Sequence, residues 1–310
     1  MNRRLIHFLI FFTEGDQLDN GDDLRNAMQI YTREIKKYFE SVLIYTPSIL
    51  IEKNSRWINI FENQVPLIEK QIFESKNKIL WNKSWAKINH QLWKPELIFE
   101  ELSHNKKIKE GDIVFYHDVN VKKYPIYLKQ LKFLKQYINR NMQKKSVLLF
   151  RDNLTKTSED TRTEIIYKYL GCDGKNLFHV WSGCLAIKND FHGVSFTKIW
   201  LDMTREKDNR SQFTTKKQPK EFYWHSVDQS TLTLSYYLAI CLYKFKNKIT
   251  LKFLKNQRML PPLNFSSNLV STIKFMRDFL KIRISMIIFL GYKRRIIELN
   301  KIRTQKNKIK

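Results

Sequence analysis

One stretch of ten residues, Gly111-Asp112-Ile113-Val114-Phe115-Tyr116-His117-Asp118-Val119-Asn120, constrains the fold more than any other part of the chain. Four β-prone apolar residues run from Ile113 to Tyr116 without polar alternation, and the run is too short for an ordinary helix. That pattern predicts a central strand covered on both faces. Asp118 and Asn120 then fall just past the strand's C-terminal end, the edge where open α/β sheets bind ligands. An Asp followed two residues later by a second oxygen donor suits a hard divalent cation, Mn²⁺ or Mg²⁺, carrying a diphosphate. The competing reading is an Asx turn that only ends the strand.

The flanking segments predict an α/β chain. Residues 5–12 read as a first strand, followed by a Gly/Asp-rich loop over 13–21 and a helix from about Asp22 to Glu40. In that helix Leu24, Met28, Tyr31, Ile35 and Tyr38 recur at helical spacing. A second strand over 42–45 is stopped by Pro47. This β-loop-α-β opening is half of a doubly wound sheet, and the loop after its first strand is a natural nucleotide contact. Glu14 and Asp16 in that loop read equally well as solvated surface.

Further on, Pro95 fits the first position of a helix that continues through Leu102 and packs beside the central strand. Lys94 stands at that helix's start, where the macrodipole disfavours a cation, so an anion is expected near it. A helix opened by Pro125, a strand over 146–150 and a helix over 159–170 come next. A strand over 178–187 is interrupted by Ser182-Gly183, and glycine inside a strand marks a bulge or a close backbone approach. A short helix spans 196–204. Ser226 and Gln229, three apart, have the spacing of a capping box, and Asp228 suits a first helical turn, so both carry a structural reading as well.

With 43% hydrophobic and 14% aromatic residues the chain can bury a large core, which excludes a disordered protein. The expected division is an α/β domain over 1–250 and a basic helical extension over 251–310. The formal charge of +26 attracts anions: nucleic acid, acidic lipid headgroups or phosphorylated substrates. Nucleic acid rests on charge alone, because no helix-turn-helix, zinc pair or RNA-recognition signature accompanies it. Three cysteines without a CxxC pair suit a reducing compartment. No apolar run reaches the roughly 18 residues of a membrane span. The expectation is a cytoplasmic protein, peripheral on the inner face of the membrane. The reason is the segment from Lys281 to Lys310, with ten Lys/Arg against one acid. Its Ile284, Ile287, Ile288, Ile296 and Leu299 recur at helical spacing, as in a helix docking on an anionic membrane surface.

Four blocks in order resemble bacterial glycosyltransferases of the GT-A fold that build surface polysaccharide. They are Trp93-Lys94-Pro95, Gly111-Asp112-Ile113 through Tyr116-His117-Asp118, Trp181-Ser182-Gly183, and His225-Ser226-Val227-Asp228-Gln229-Ser230. The similarity covers roughly residues 5–245. It implies a GT-A-like, Rossmann-like mixed sheet flanked by helices. The activity it implies is transfer of a sugar from a nucleotide-sugar donor to a glycan or lipid-linked acceptor. Carried over, Asp118 is the donor-site acid, and Asn120 stands where the second Asp of an Asp-x-Asp element would be, one anionic metal ligand fewer. Trp181, Ser182 and Gly183 line the donor sugar, with Gly183 letting the backbone come close. Asp228 and Gln229 sit near the reacting carbon, Lys94 meets phosphate, and His225 touches the diphosphate, a metal or the acceptor. The implied metal ligands are Asp118, Asn120 and His225. Two other readings stand beside this one: a non-catalytic relative that binds nucleotide or glycan, favoured by Asn120, and a basic nucleic-acid-binding protein.

Overall fold

The structure, a computed structural model, describes residues 4–12, 22–62, 92–118, 124–171, 177–210, 216–222, 225–241 and 245–254. The loop over 13–21, Asn120, Pro261-Pro262 and the basic segment 281–310 lie outside those residues.

Among the described residues, strands β1 (Ile6–Phe11), β2 (Ser41–Tyr45), β3 (Ile113–His117), β4 (Val147–Lys156), β5 (Phe178–Lys188) and β6 (Ile249–Leu254) form one sheet. Its order is β2-β1-β3-β5-β4-β6. The pairs β1–β2, β1–β3 and β4–β6 are parallel, and β5 runs antiparallel to both of its neighbours. The sheet is therefore mixed, and β3 is an interior strand buried at every position. The unalternating apolar runs of β1 and β3 have this cause: helices cover both sides of them.

The described helices are α1 (Asp22–Lys36), α2 (Pro47–Lys53), α3 (Arg56–Glu62), α4 (Trp93–His104), α5 (Tyr124–Met142), α6 (Thr157–Asp160), α7 (Thr163–Leu170), α8 (Phe191–Arg205), α9 (Lys207–Arg210) and α10 (Val227–Cys241). Successive strand residues face opposite sides of the sheet and so feed two cores. On one side Leu9, Val114, Tyr116, Leu185 and Ile187 join residues of α4, α8 and α10. On the other, Phe8, Ile10, Ile113, Phe115 and Ala186 join Ile35 of α1 and Leu131, Leu134, Ile138 and Met142 of α5.

The helix α10 is buried at every residue through Ile240 except Gln229. Its hydroxyls find partners without leaving the core. Thr231, Thr233 and Ser235 each donate to the carbonyl four residues earlier, at 2.8, 2.8 and 2.7 Å.

Several boundaries differ from the sequence expectation. Pro47 opens α2 rather than only ending β2, and Thr46 caps that helix by accepting from Ile49 N–H at 3.2 Å. Helix α4 begins at Trp93, so Pro95 is its third residue. The first turn's N–H groups have no intrahelical partner, so proline costs nothing there. The helix expected over 159–170 is two, α6 and α7, and α8 is longer than the 196–204 expected. Finally, β6 pairs with β4 from Ile249 to Leu254, so the sheet crosses residue 250, where a domain boundary was expected.

Candidate active site

The register between β3 and β5 assembles the site. His117 pairs with Cys184, and just beyond the strand Asp118 N–H donates to the Gly183 carbonyl at 2.8 Å. Asp118 is thus fixed opposite Ser182-Gly183. Between β4 and β5 the pairing jumps from Leu149–Leu185 to Phe150–Trp181, so β5 bulges at these residues. A Cβ on Gly183 would lie 2.6 Å from Asp118 Oδ2 and 2.6 Å from the Trp181 indole. Both alternatives raised by the glycine, bulge and close approach, are therefore realised. What approaches Gly183 here is the protein's own Asp118 and Trp181.

Helix α4 delivers the cation. Trp93 stacks on Phe11 with ring centroids 3.8 Å apart, and Leu97, Ile98 and Leu102 pack into the core with Val114 and Tyr116. That packing buries Lys94 completely. Its Nζ donates to Asp228 Oδ2 at 2.8 Å and lies 3.3 Å from Asp118 Oδ1 and 3.4 Å from Asp118 Oδ2. The anion expected beside Lys94 is thus a pair of carboxylates within the chain. Asp228 also accepts from Ser182 Oγ at 2.6 Å, and its backbone carbonyl accepts from Trp200 Nε1 at 3.1 Å. The Tyr116 hydroxyl donates to Asp118 Oδ1.

Burial on its own would strip the proton from Lys94, but the charges of Asp118 and Asp228 outweigh it and raise its pKa, so the side chain is an ammonium. Burial, with Asp118 beside it, lifts Tyr116 well above the usual phenol range and keeps it a donor. Burial pushes His117 down to about 4, which leaves the imidazole neutral near pH 7. The group of two carboxylates and one ammonium carries one net negative charge. Its members differ in access: the Asp118 side chain is 44% exposed, and that of Asp228 is 4% exposed. Asp118 is the member a ligand can reach. An exposed carboxylate held in place by a fixed ammonium and a phenol can accept hydrogen bonds from hydroxyl groups, take up a proton, or face a developing positive charge.

The remaining expected site residues divide. Trp181, half-buried, sets its indole against Gly183 and makes an edge contact with His117, ring centroids 6.0 Å apart. Gln229 turns away from its neighbour Asp228, and its amide lies 2.7 Å from His179 Nδ1. The Ser226 N–H donates to the Asp160 carbonyl at 3.1 Å, so the capping box expected of Ser226 and Gln229 does not form. His225 is fully buried, with Nε2 2.7 Å from the Asn209 carbonyl. A carbonyl only accepts, so Nε2 carries the proton and the lone pair of the neutral ring lies on Nδ1. Among the described residues no three His, Cys, Asp or Glu side chains gather as a metal-binding group. Tyr116 and His179 were missed as site neighbours. The signal for Tyr116 was available, since a residue two before Asp118 shares its side of the strand.

No known protein family's profile matches the sequence, and no curated protein is significantly similar to it. Among solved structures, the 4-diphosphocytidyl-2C-methyl-D-erythritol synthase of Anaerococcus prevotii aligns with 91% of this chain and 98% of its own, at 10% identity and a TM-score of 0.35. A likeness of that degree bears on neither the fold nor the function of this chain. Among the described residues no helix is long and apolar enough to cross a membrane.

Proposed function

We propose that the chain is a GT-A-like glycosyltransferase that moves a sugar from a nucleotide-sugar donor to a glycan or lipid-linked acceptor. The observation that carries this reading is the Lys94-Asp118-Asp228 group, at the C-terminal end of an interior strand of a mixed sheet. That edge is where α/β sheets bind ligands. The four sequence blocks behind the resemblance lie far apart in the chain, yet each supplies at least one member of this neighbourhood: Lys94, Asp118, Ser182 with Gly183, and Asp228. Cap and turn roles alone would not bring them together.

The chemistry suits the arrangement. Glycosyl transfer develops positive charge on the sugar ring as the diphosphate departs, and a carboxylate already in place stabilises that charge without reorganising. Asp118, exposed and oriented by Tyr116 and Lys94, is assigned that position at the donor. Asp228 holds the ammonium.

Thermal-shift titration against UDP-, GDP-, CMP- and dTDP-sugars tests the reading. A donor at 100 times its dissociation constant stabilises the fold by about 2.7 kcal/mol. The expected result is a concentration-dependent rise in melting temperature for one nucleotide class. A flat response to all four overturns the reading.

A further inference from the structure

We infer that the cation of this site is the Lys94 ammonium, and that Asp118 meets the donor's sugar hydroxyls directly instead of through a divalent metal. The second half of this inference rests on the proposed glycosyltransferase reading; the first stands on geometry. Lys94 Nζ lies between the two carboxylates, within 3.4 Å of both Asp118 oxygens and 2.8 Å from Asp228 Oδ2. A hard divalent ion would need Asp118 oxygen at about 2.0–2.6 Å. Bound there, it would share both oxygens of that carboxylate with a fixed like charge.

The ammonium cannot withdraw to make room. Its side chain is wholly buried, and departure would strand Asp228, itself only 4% exposed, without its counter-ion. Asp228 Oδ2, for its part, already accepts from Lys94 and Ser182. What Asp118 still offers is the unshared acceptor capacity of a 44% exposed carboxylate. Hydroxyl donors, the dominant groups of a sugar ring, match that capacity. Phosphate oxygens do not.

Two measurements on the full chain test this. Mn²⁺ titration followed by electron paramagnetic resonance compares wild type with Asp118→Ala. Indistinguishable titrations are expected, and binding lost on removing Asp118 overturns the inference whether or not any donor binds. Donor thermal shifts are then recorded in EDTA and in Mn²⁺. Equal shifts support the inference. A shift that appears only with Mn²⁺ overturns it while leaving the glycosyltransferase reading intact. If no donor shifts under either condition, that reading fails, and with it the direct sugar contact, while the Mn²⁺ titration alone still decides the identity of the cation. Lys94→Ala gives an independent check. With the ammonium gone, the paired carboxylates should acquire a Mn²⁺ site absent from wild type, seen as Mn²⁺-dependent melting that Asp228→Asn abolishes in the same background. Mn²⁺ leaving a folded Lys94→Ala protein unaffected counts against the inference. Should that variant not fold, the wild-type titration remains decisive.

Discussion

Lys94 Nζ donates to Asp228 Oδ2 at 2.8 Å, joining the first turn of α4 to the first turn of α10 across 134 residues of sequence. Asp118 completes the group from the end of β3. Because Asp228 is buried and Asp118 half open, the two carboxylates should respond differently to the same change.

Asp228→Asn breaks a buried ion pair and leaves Lys94 with its more exposed partner. Loss of one partner of a buried pair costs about 3–5 kcal/mol. Asp118→Asn leaves the buried pair intact, and an exposed contact is worth about 1 kcal/mol or less. Urea denaturation of the two variants should show a large drop in midpoint for Asp228→Asn and a small one for Asp118→Asn. Equal losses would place Asp118 in the structural frame and not at a ligand.

Gly183→Ala tests the close approach. The added Cβ would meet Asp118 Oδ2 and the Trp181 indole at 2.6 Å, and these half-buried side chains would have to shift. Overpacking of this kind costs about 1–3 kcal/mol. The variant should melt lower than wild type and lose affinity for the donor that stabilises wild type. Unchanged donor affinity would separate Gly183 from the site.

How legible this site was in the sequence depends on which force acted at each residue. The β3 strand was readable because burial on both faces leaves an unalternating apolar run. Lys94 was readable because a cation at a helix start is out of place unless an anion offsets it, although nothing in the sequence said that the anions would be Asp118 and Asp228. Asp228 and Gln229 both had local explanations as first-turn residues, and only tertiary packing sent one to Lys94 and the other to His179. The β6 strand was legible too, because Ile249, Leu251 and Phe253 alternate with Thr250 and Lys252 at the period of a half-buried strand. His225 opens the His225–Ser230 block, but its hydrogen bond to Asn209 is set by the packing of α9, which no local pattern announces.

His117 should make the fold acid-sensitive in a defined window. Burial holds its pKa at about 4, below its ordinary 6.5. The unfolded chain therefore takes up a proton below pH 6.5 that the folded chain refuses until about pH 4. Its contribution to stability is full above pH 6.5 and is lost as the pH falls through that window. The loss amounts to about 3 kcal/mol. Urea midpoints at pH 7.5 and pH 4.5 should differ less for His117→Gln than for wild type, and an equal difference would remove His117 as the cause.

The basic segment from Lys281 to Lys310 is proposed to dock the chain on an anionic membrane surface, where a lipid-linked acceptor would be found. Each basic residue near such a surface contributes about 1 kcal/mol. The full chain should co-sediment with phosphatidylglycerol vesicles at low salt, and a chain truncated after Asn268 should not. Equal behaviour of the two removes the segment from membrane binding.

What joins these predictions is the proposed position of Asp118 at the donor of a sugar-transfer reaction. Its most direct test is release of nucleotide from UDP-, GDP-, CMP- and dTDP-sugars by wild type and Asp118→Asn, measured side by side on protein of matched melting temperature. Slow release from one donor class is expected of wild type, with a fall of about 100-fold or more in the variant, the scale expected when one preorganised charge is removed from a transition state. Release from no donor, or equal release by both proteins, contradicts it.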